Sequence, residues 1–164
     1  MKIGIITASD KGYKGLRTDE SGPAIARIMQ EYGARVLAAE ILPDDMQMLS
    51  DTMIHMADVL DCDVIFTTGG TGFSPRDVTP EATMAVCQRN APGIPEAMRA
   101  GSLKITDRAM LSRAAAGIRG ATLIINLPGS PKGATECLHI VLPVLSHAVE
   151  ILRGGGECAA PVDR

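Results

Sequence analysis

Aromatic side chains are almost missing from this chain: its 164 residues include no Trp, two Tyr and two Phe. A core must therefore be built from Ile, Leu, Val, Ala and Met. Cysteine is equally thin. Cys62, Cys87, Cys137 and Cys158 are scattered with no C-x-x-C pair, which points to neither a zinc site nor a disulfide framework. Basic runs are absent, charges are interspersed and the net charge is −3, so no nucleic-acid footprint is expected. The opening Met1-Lys2-Ile3-Gly4-Ile5-Ile6 is broken too soon by Ser9-Asp10-Lys11 to act as a signal peptide. No apolar stretch approaches membrane-spanning length, so no membrane partner is expected. These absences leave a reduced, cytoplasmic protein as the expectation. Gly-Lys-Ser/Thr and G-x-G-x-x-G are both missing, so any nucleotide is held by some means other than a P-loop or a dinucleotide fingerprint.

What is present is a glycine- and threonine-rich turn, Thr67-Thr68-Gly69-Gly70-Thr71-Gly72, followed by Phe73-Ser74-Pro75-Arg76-Asp77-Val78-Thr79-Pro80-Glu81. It follows the apolar run Val64-Ile65-Phe66, read as a buried strand, and precedes a helical pattern from about Pro80. Ligands of open α/β sheets bind outside the carboxyl ends of the strands. Glycines there expose backbone N–H groups that cradle anions. The threonine hydroxyls add donors, Arg76 a fixed cation and Asp77 a candidate metal ligand. A tight turn alone explains Gly69-Gly70; the longer string suits a phosphorylated substrate.

The chain reads as alternating strands and helices. Strands are expected at Lys2–Ala8, Ala34–Leu42, Val64–Thr68, Ser112–Ile118 and Thr122–Leu127, the last two around Arg119-Gly120. Asp19 or Ser21 caps a helix whose buried face is Ile25, Ile28, Met29 and Tyr32 and which ends at Gly33. Asp44 or Asp45 caps another, running to about Leu60, with Met46, Met53 and Met56 as core filling. A helix from Pro80 to about Gln88, a short one through Ala97 and Met98, and a long one from Cys137 to Leu152 complete the pattern. The expected fold class is α/β: one domain over residues 1–153, a three-layer α/β/α arrangement with a mostly parallel sheet, then a flexible tail over 154–164. Ser9-Asp10, Asp44, Thr68–Gly72 and Pro128-Gly129-Ser130 then open on one sheet edge, and four converging polar loops mark a site.

Those stretches, with Asp19-x-Ser21-Gly22, Pro43-Asp44, Pro92-Gly93, Ser102-Leu103-Lys104-Ile105-Thr106, Met110 to Gly120 and Leu123 to Gly129, run in an order that resembles the MogA/MoaB-type molybdenum-cofactor-biosynthesis family. The same domain occurs in gephyrin-like proteins. The resemblance extends to about Leu152 and is nearest to the adenylyltransferase branch. It implies Mg²⁺-dependent adenylylation of molybdopterin by ATP, releasing pyrophosphate. Such chemistry needs no protein nucleophile, only the positioning of two polyanions.

Asp44 and Asp77 are then the expected catalytic carboxylates and Mg²⁺ ligands. The backbone of Thr68, Gly69, Gly70, Thr71 and Gly72 is expected to bind phosphate or the pterin edge. By the family's pattern Ser102, Ser112 and Asn126 reach substrate, and Pro128, Gly129 and Ser130 close the pterin side. Plainer readings stand beside these. Asp44 could be only a helix cap, Asp77 could only pair with Arg76, Ser112 could be a strand hydroxyl and Asn126 a turn former. His55, His139 and His147 read as helix-surface or core-edge residues rather than ligands, and Lys132 as a weak phosphate candidate. A non-catalytic molybdopterin-binding or scaffold protein of the MoaB type is the alternative function. The resemblance also implies a homotrimer, with the molybdate-insertion enzyme as a further partner. Ala114–Ile118 and Pro92–Met98 are the small-residue surfaces on which another subunit could approach.

Overall fold

Strands β1 (Lys2–Ala8), β3 (Val64–Thr68) and β6 (Thr122–Leu127) are buried along almost their whole length, as runs apolar on both faces require in a parallel sheet covered on both sides. They form the centre of the computed structural model, which describes residues 1–155. With β2 (Arg35–Leu42), β4 (Arg89–Asn90) and β5 (Ala116–Arg119) they make one sheet in the order β2-β1-β3-β6-β5-β4. The pairs β1–β2, β1–β3 and β3–β6 are parallel, whereas β5 runs antiparallel to β6 and to β4.

The helices are α1 (Asp10–Tyr13), α2 (Ser21–Glu31), α3 (Met46–Asp58), α4 (Thr79–Val86), α5 (Gly93–Leu103) and α6 (Pro131–Leu152). On one face, Ile3, Ile5, Phe66 and Ile125 pack against Ile25 and Met29 of α2, Met98 of α5 and Leu138, Val141 and Leu145 of α6. On the other, Ile6, Ile65 and Ile124 meet Leu49, Met53 and Met56 of α3 and Ala82 and Val86 of α4. This is the expected three-layer α/β/α arrangement.

Several local expectations change. Asp19 is the side chain that caps α2, its Oδ1 accepting the Ser21 and Gly22 N–H groups at 3.0 and 3.1 Å. Asp45 caps α3, accepting the Met48 N–H at 2.9 Å, which releases Asp44 from that role. Met46 is exposed at the start of α3, while Met53 and Met56 are buried as expected. Ser112–Ala115 is irregular, and β5 begins only at Ala116. Ala114, Ala116, Pro95 and Met98 are buried within the chain's own fold, so they are not free surfaces for a second subunit. His55, His139 and His147 are exposed.

By length and composition α6 is long and apolar enough to cross a membrane, with a mean hydropathy of 1.4 over its best window. That corrects the expectation that no stretch approaches such a length. One face of α6, at Ala134, Cys137, Leu138, Val141 and Leu145, is buried in the core. The tail from Gly156 to Arg164, Cys158 included, lies outside the described residues.

Candidate active site

Because β2, β1, β3 and β6 are parallel, their carboxyl ends share one edge, and the loops after them meet there. Two of these loops are fastened together. The Thr68 hydroxyl donates to Pro128 O at 2.7 Å and the Gly69 N–H to Leu127 O at 3.3 Å. A Cβ on Gly129 would stand 3.0 Å from the Gly69 Cα, so glycine is what lets the backbones approach.

A cavity of about 540 Å³ opens over this edge, lined by Thr7, Ser9, Thr68, Gly69, Gly70, Gly129 and Ser130 and by the charged groups Arg17, Asp19, Glu20, Asp44 and Asp77. Four acids face one base. A second cavity of about 350 Å³ adjoins it and has apolar walls at Pro95, Met98, Ala109, Leu111, Ala114, Pro128 and Cys137. Its polar groups include Ser102, Ser112, Thr71, Arg99 and Arg108. Ser130 lines both cavities, and the chain passes from one to the other between Gly70 and Thr71.

Asp44 sits two residues past the end of β2 and clasps the loop after β1. Its N–H donates to Asp10 Oδ1, and its Oδ2 accepts the Asp10 N–H, both at 3.1 Å. Arg76 closes the clasp, donating from Nε and Nη2 to the Asp10 carboxylate at 3.0 and 2.9 Å. That guanidinium holds the Asp10 carboxyl below its ordinary range. Asp44 is shifted the other way. Burial raises its pKa, and the negative charges of Asp10 and Asp77 add to the rise, against the Asp10 N–H and Arg76.

Asp44 Oδ1 and the Thr79 Oγ1 are both buried with no protein hydrogen-bond partner. A Cβ on Gly70, whose φ is +62°, would collide with that Thr79 oxygen and stand 2.9 Å from that Asp44 oxygen. Both unpartnered atoms therefore reach the same small space beneath the turn. Asp77 does not pair with Arg76. Its Oδ2 accepts the N–H groups of Gly72 and Ser74 at 2.8 and 3.3 Å. Among the described residues no group of three or more His, Cys, Asp or Glu side chains is placed to hold a metal. A buried, proton-favouring carboxylate oxygen with no partner, beside a second carboxylate, does fit a hard cation. Mg²⁺ takes one or two carboxylates and completes its shell with phosphate and water.

Of the expected site residues, Thr68, Gly69, Gly70, Asp44, Asp77 and Gly129 line the polar cavity, while Thr71, Gly72, Ser102, Ser112 and Pro128 line the apolar one. Asn126 is brought to neither. It is wholly buried, donating to the hydroxyls of Thr67 and Thr83 at 2.9 and 2.8 Å and accepting the Ala115 N–H at 3.1 Å. Since the Gly69 and Gly72 N–H groups are engaged within the protein, the backbone donors the turn leaves free are those of Gly70 and Thr71. Lys132 lines neither cavity and lies 3.9 Å from Glu136. The sequence reading missed Thr79 and the cavity cations Arg17, Arg99 and Arg108. It also missed Arg113, whose partners lie 32 to 41 residues away. No periodicity signals such pairs.

Over residues 4–147 the chain matches the family described as a probable molybdopterin binding domain. It is 46% identical over 154 residues to the molybdopterin adenylyltransferase of Helicobacter pylori (strain ATCC 700392 / 26695), covering 93% of this chain and 88% of that one. Against the molybdopterin adenylyltransferase of Escherichia coli K12 the identity is 38% over 175 residues, with 98% and 90% covered. A solved structure of the molybdopterin biosynthesis enzyme MoaB from Thermus thermophilus superposes with a TM-score of 0.89 at 48% identity, covering 93% of this chain and 96% of that one.

Proposed function

From the premise that this chain belongs to the molybdopterin-binding domain family and is a molybdopterin adenylyltransferase of molybdenum cofactor biosynthesis, we propose that its second substrate is Mg-ATP. An oxygen of the molybdopterin phosphate bonds to the α-phosphorus of ATP. The bond from that phosphorus to the α–β bridging oxygen breaks, and pyrophosphate leaves with the electron pair. The nucleophile is already an anion, so no Ser, Cys or His of the chain has to be activated.

The observation that carries this reading is the charge of the polar cavity. Asp19, Glu20, Asp44 and Asp77 against Arg17 would repel a bare triphosphate. Mg²⁺, when bound, offsets the phosphate charges and draws electron density from the leaving oxygens. Asp44 and Asp77 are the residues that would hold it. Gly70 and Thr71 present backbone donors to phosphate, and Ser130 stands where the two cavities meet. The apolar cavity suits the flat pterin, with Ser102 and Ser112 for its polar edge and Arg99 and Arg108 for negative charge. Holding both reactants removes the entropy of bringing them together, and that term can supply much of the rate. Purified protein with molybdopterin, Mg²⁺ and ATP should yield adenylylated molybdopterin and pyrophosphate in equal amounts. Molybdopterin bound but unchanged, with no pyrophosphate, would favour a binding protein instead. The family likeness further supports a cytoplasmic homotrimer whose product goes to a molybdate-insertion enzyme.

A further inference from the structure

Arg113 lies in the irregular stretch before β5, beside Ser112 of the apolar cavity. Its N–H donates to Thr71 O at 2.9 Å. Its guanidinium donates from Nε to Gly72 O at 2.7 Å and from Nη2 to Asp77 O at 2.5 Å, while Nη1 pairs with the Glu81 carboxylate. One planar group thus grips both ends of the Gly72–Asp77 loop. Inside that grip the Asp77 carboxylate turns back to accept the Gly72 and Ser74 N–H groups. The intervening Phe73, Ser74, Pro75 and Arg76 are exposed, so the loop has little packing of its own to hold its shape. On the far side, Arg99 donates to Ser112 O and Ala114 O at 3.4 and 3.0 Å. That holds the stretch carrying Arg113.

We propose that Arg113 is the positioning residue of the adenylyl transfer: its fork sets where Asp77 stands in the polar cavity and ties that place to the Ser112 stretch of the apolar one. The proposal rests on the adenylyltransferase reading. The fork does the positioning, not the charge, because a lysine ammonium cannot span two carbonyls in one plane. The Glu81 pair is exposed at its acidic end and contributes little by itself.

Three full-length variants test this: Arg113→Lys, Arg113→Ala and Glu81→Gln. Arg113→Lys should lower kcat on the order of 100-fold, as a misplacement of about 1 Å can, while the KM for molybdopterin stays near wild type. Added guanidinium should restore part of the activity of Arg113→Ala, and ammonium should not. Glu81→Gln should keep wild-type kcat. Amide hydrogen exchange needs no turnover. In Arg113→Lys it should quicken in the peptide spanning residues 72–77 and stay unchanged across β1, β3 and β6. Wild-type kcat in Arg113→Lys, or unchanged exchange in that peptide, would overturn the proposal. A wild-type protein that makes no adenylylated product would instead overturn the reaction, and exchange would still decide what Arg113 holds.

Discussion

At the scale of single residues, Asp44 and Gly70 carry a conflict between stability and chemistry. Burial raises the Asp44 pKa above 3.8, so the folded protein keeps that proton to higher pH than the unfolded chain does. Between 3.8 and the raised value the folded state binds more protons, and stability falls as pH rises. Above that value the full cost of the buried charge remains. Asp44→Asn removes the charge, and its amide oxygen can still accept the Asp10 N–H. Without metal at pH 7 the variant should melt at or above wild type, and at pH 3.5 the difference should vanish. Mg²⁺ should raise the melting temperature of wild type only, and turnover of the variant should drop by orders of magnitude. Melting curves at both pH values, with and without Mg²⁺, check this; a variant clearly less stable at pH 7 would contradict it. Gly70→Ala differs because the new Cβ meets the Thr79 and Asp44 oxygens at a backbone angle that favours glycine. A loss of about 1–3 kcal/mol is expected, together with a weaker melting response to Mg²⁺. A merely tight turn would give the first effect without the second, and a joint melting and Mg²⁺ titration reads both.

Among the elements, β6 holds the site's frame through Asn126. One buried amide joins β3 through Thr67, α4 through Thr83 and the approach to β5 through Ala115. Asn126→Ala strands those groups, at roughly 2–4 kcal/mol, a fall on the order of 10 °C for a chain of this length. The folded variant should still bind molybdopterin, and lost affinity in a stable variant would return Asn126 to the substrate. Calorimetric melting with a binding titration separates the two. Such a role was not legible, because the sequence shows Asn126 only as a polar residue at a strand end. The central strands were legible, since Ile, Val and Phe on both faces admit few other readings. So was the convergence of their loops, which follows from parallel order alone. The four residues of α1, the two of β4 and the 3-10 turn Asp107–Leu111 are too short to show a period. The alanine run at Ala114–Ala116 reads as strand, yet the Ala114 carbonyl is taken by the Arg99 side chain and β5 begins only at Ala116.

For the molecule as a whole, loops of a single chain bring together the lining of both cavities. Assembly has to be argued from the surface. Of the alanine and proline stretches expected to meet another subunit, Pro95, Met98, Ala114 and Ala116 are buried inside the fold, and the large exposed apolar side chains lie elsewhere. Leu103, Ile105, Met110 and Leu111 stand 42–64% exposed along the end of α5 and the 3-10 turn beyond it. Leu111 itself lines the apolar cavity. A surface of this kind is stabilised by a partner that covers it, and three copies are the number the family likeness suggests. Light scattering at micromolar concentration should then give three times 17.2 kDa. Met110→Asp combined with Ile105→Asp should give folded monomers that melt below the wild-type assembly, because the partner's stabilisation is lost while neither side chain is part of the core. A wild-type monomer mass would remove the trimer and leave both cavities as described. A trimer that survives the double substitution would move the subunit contact to another face.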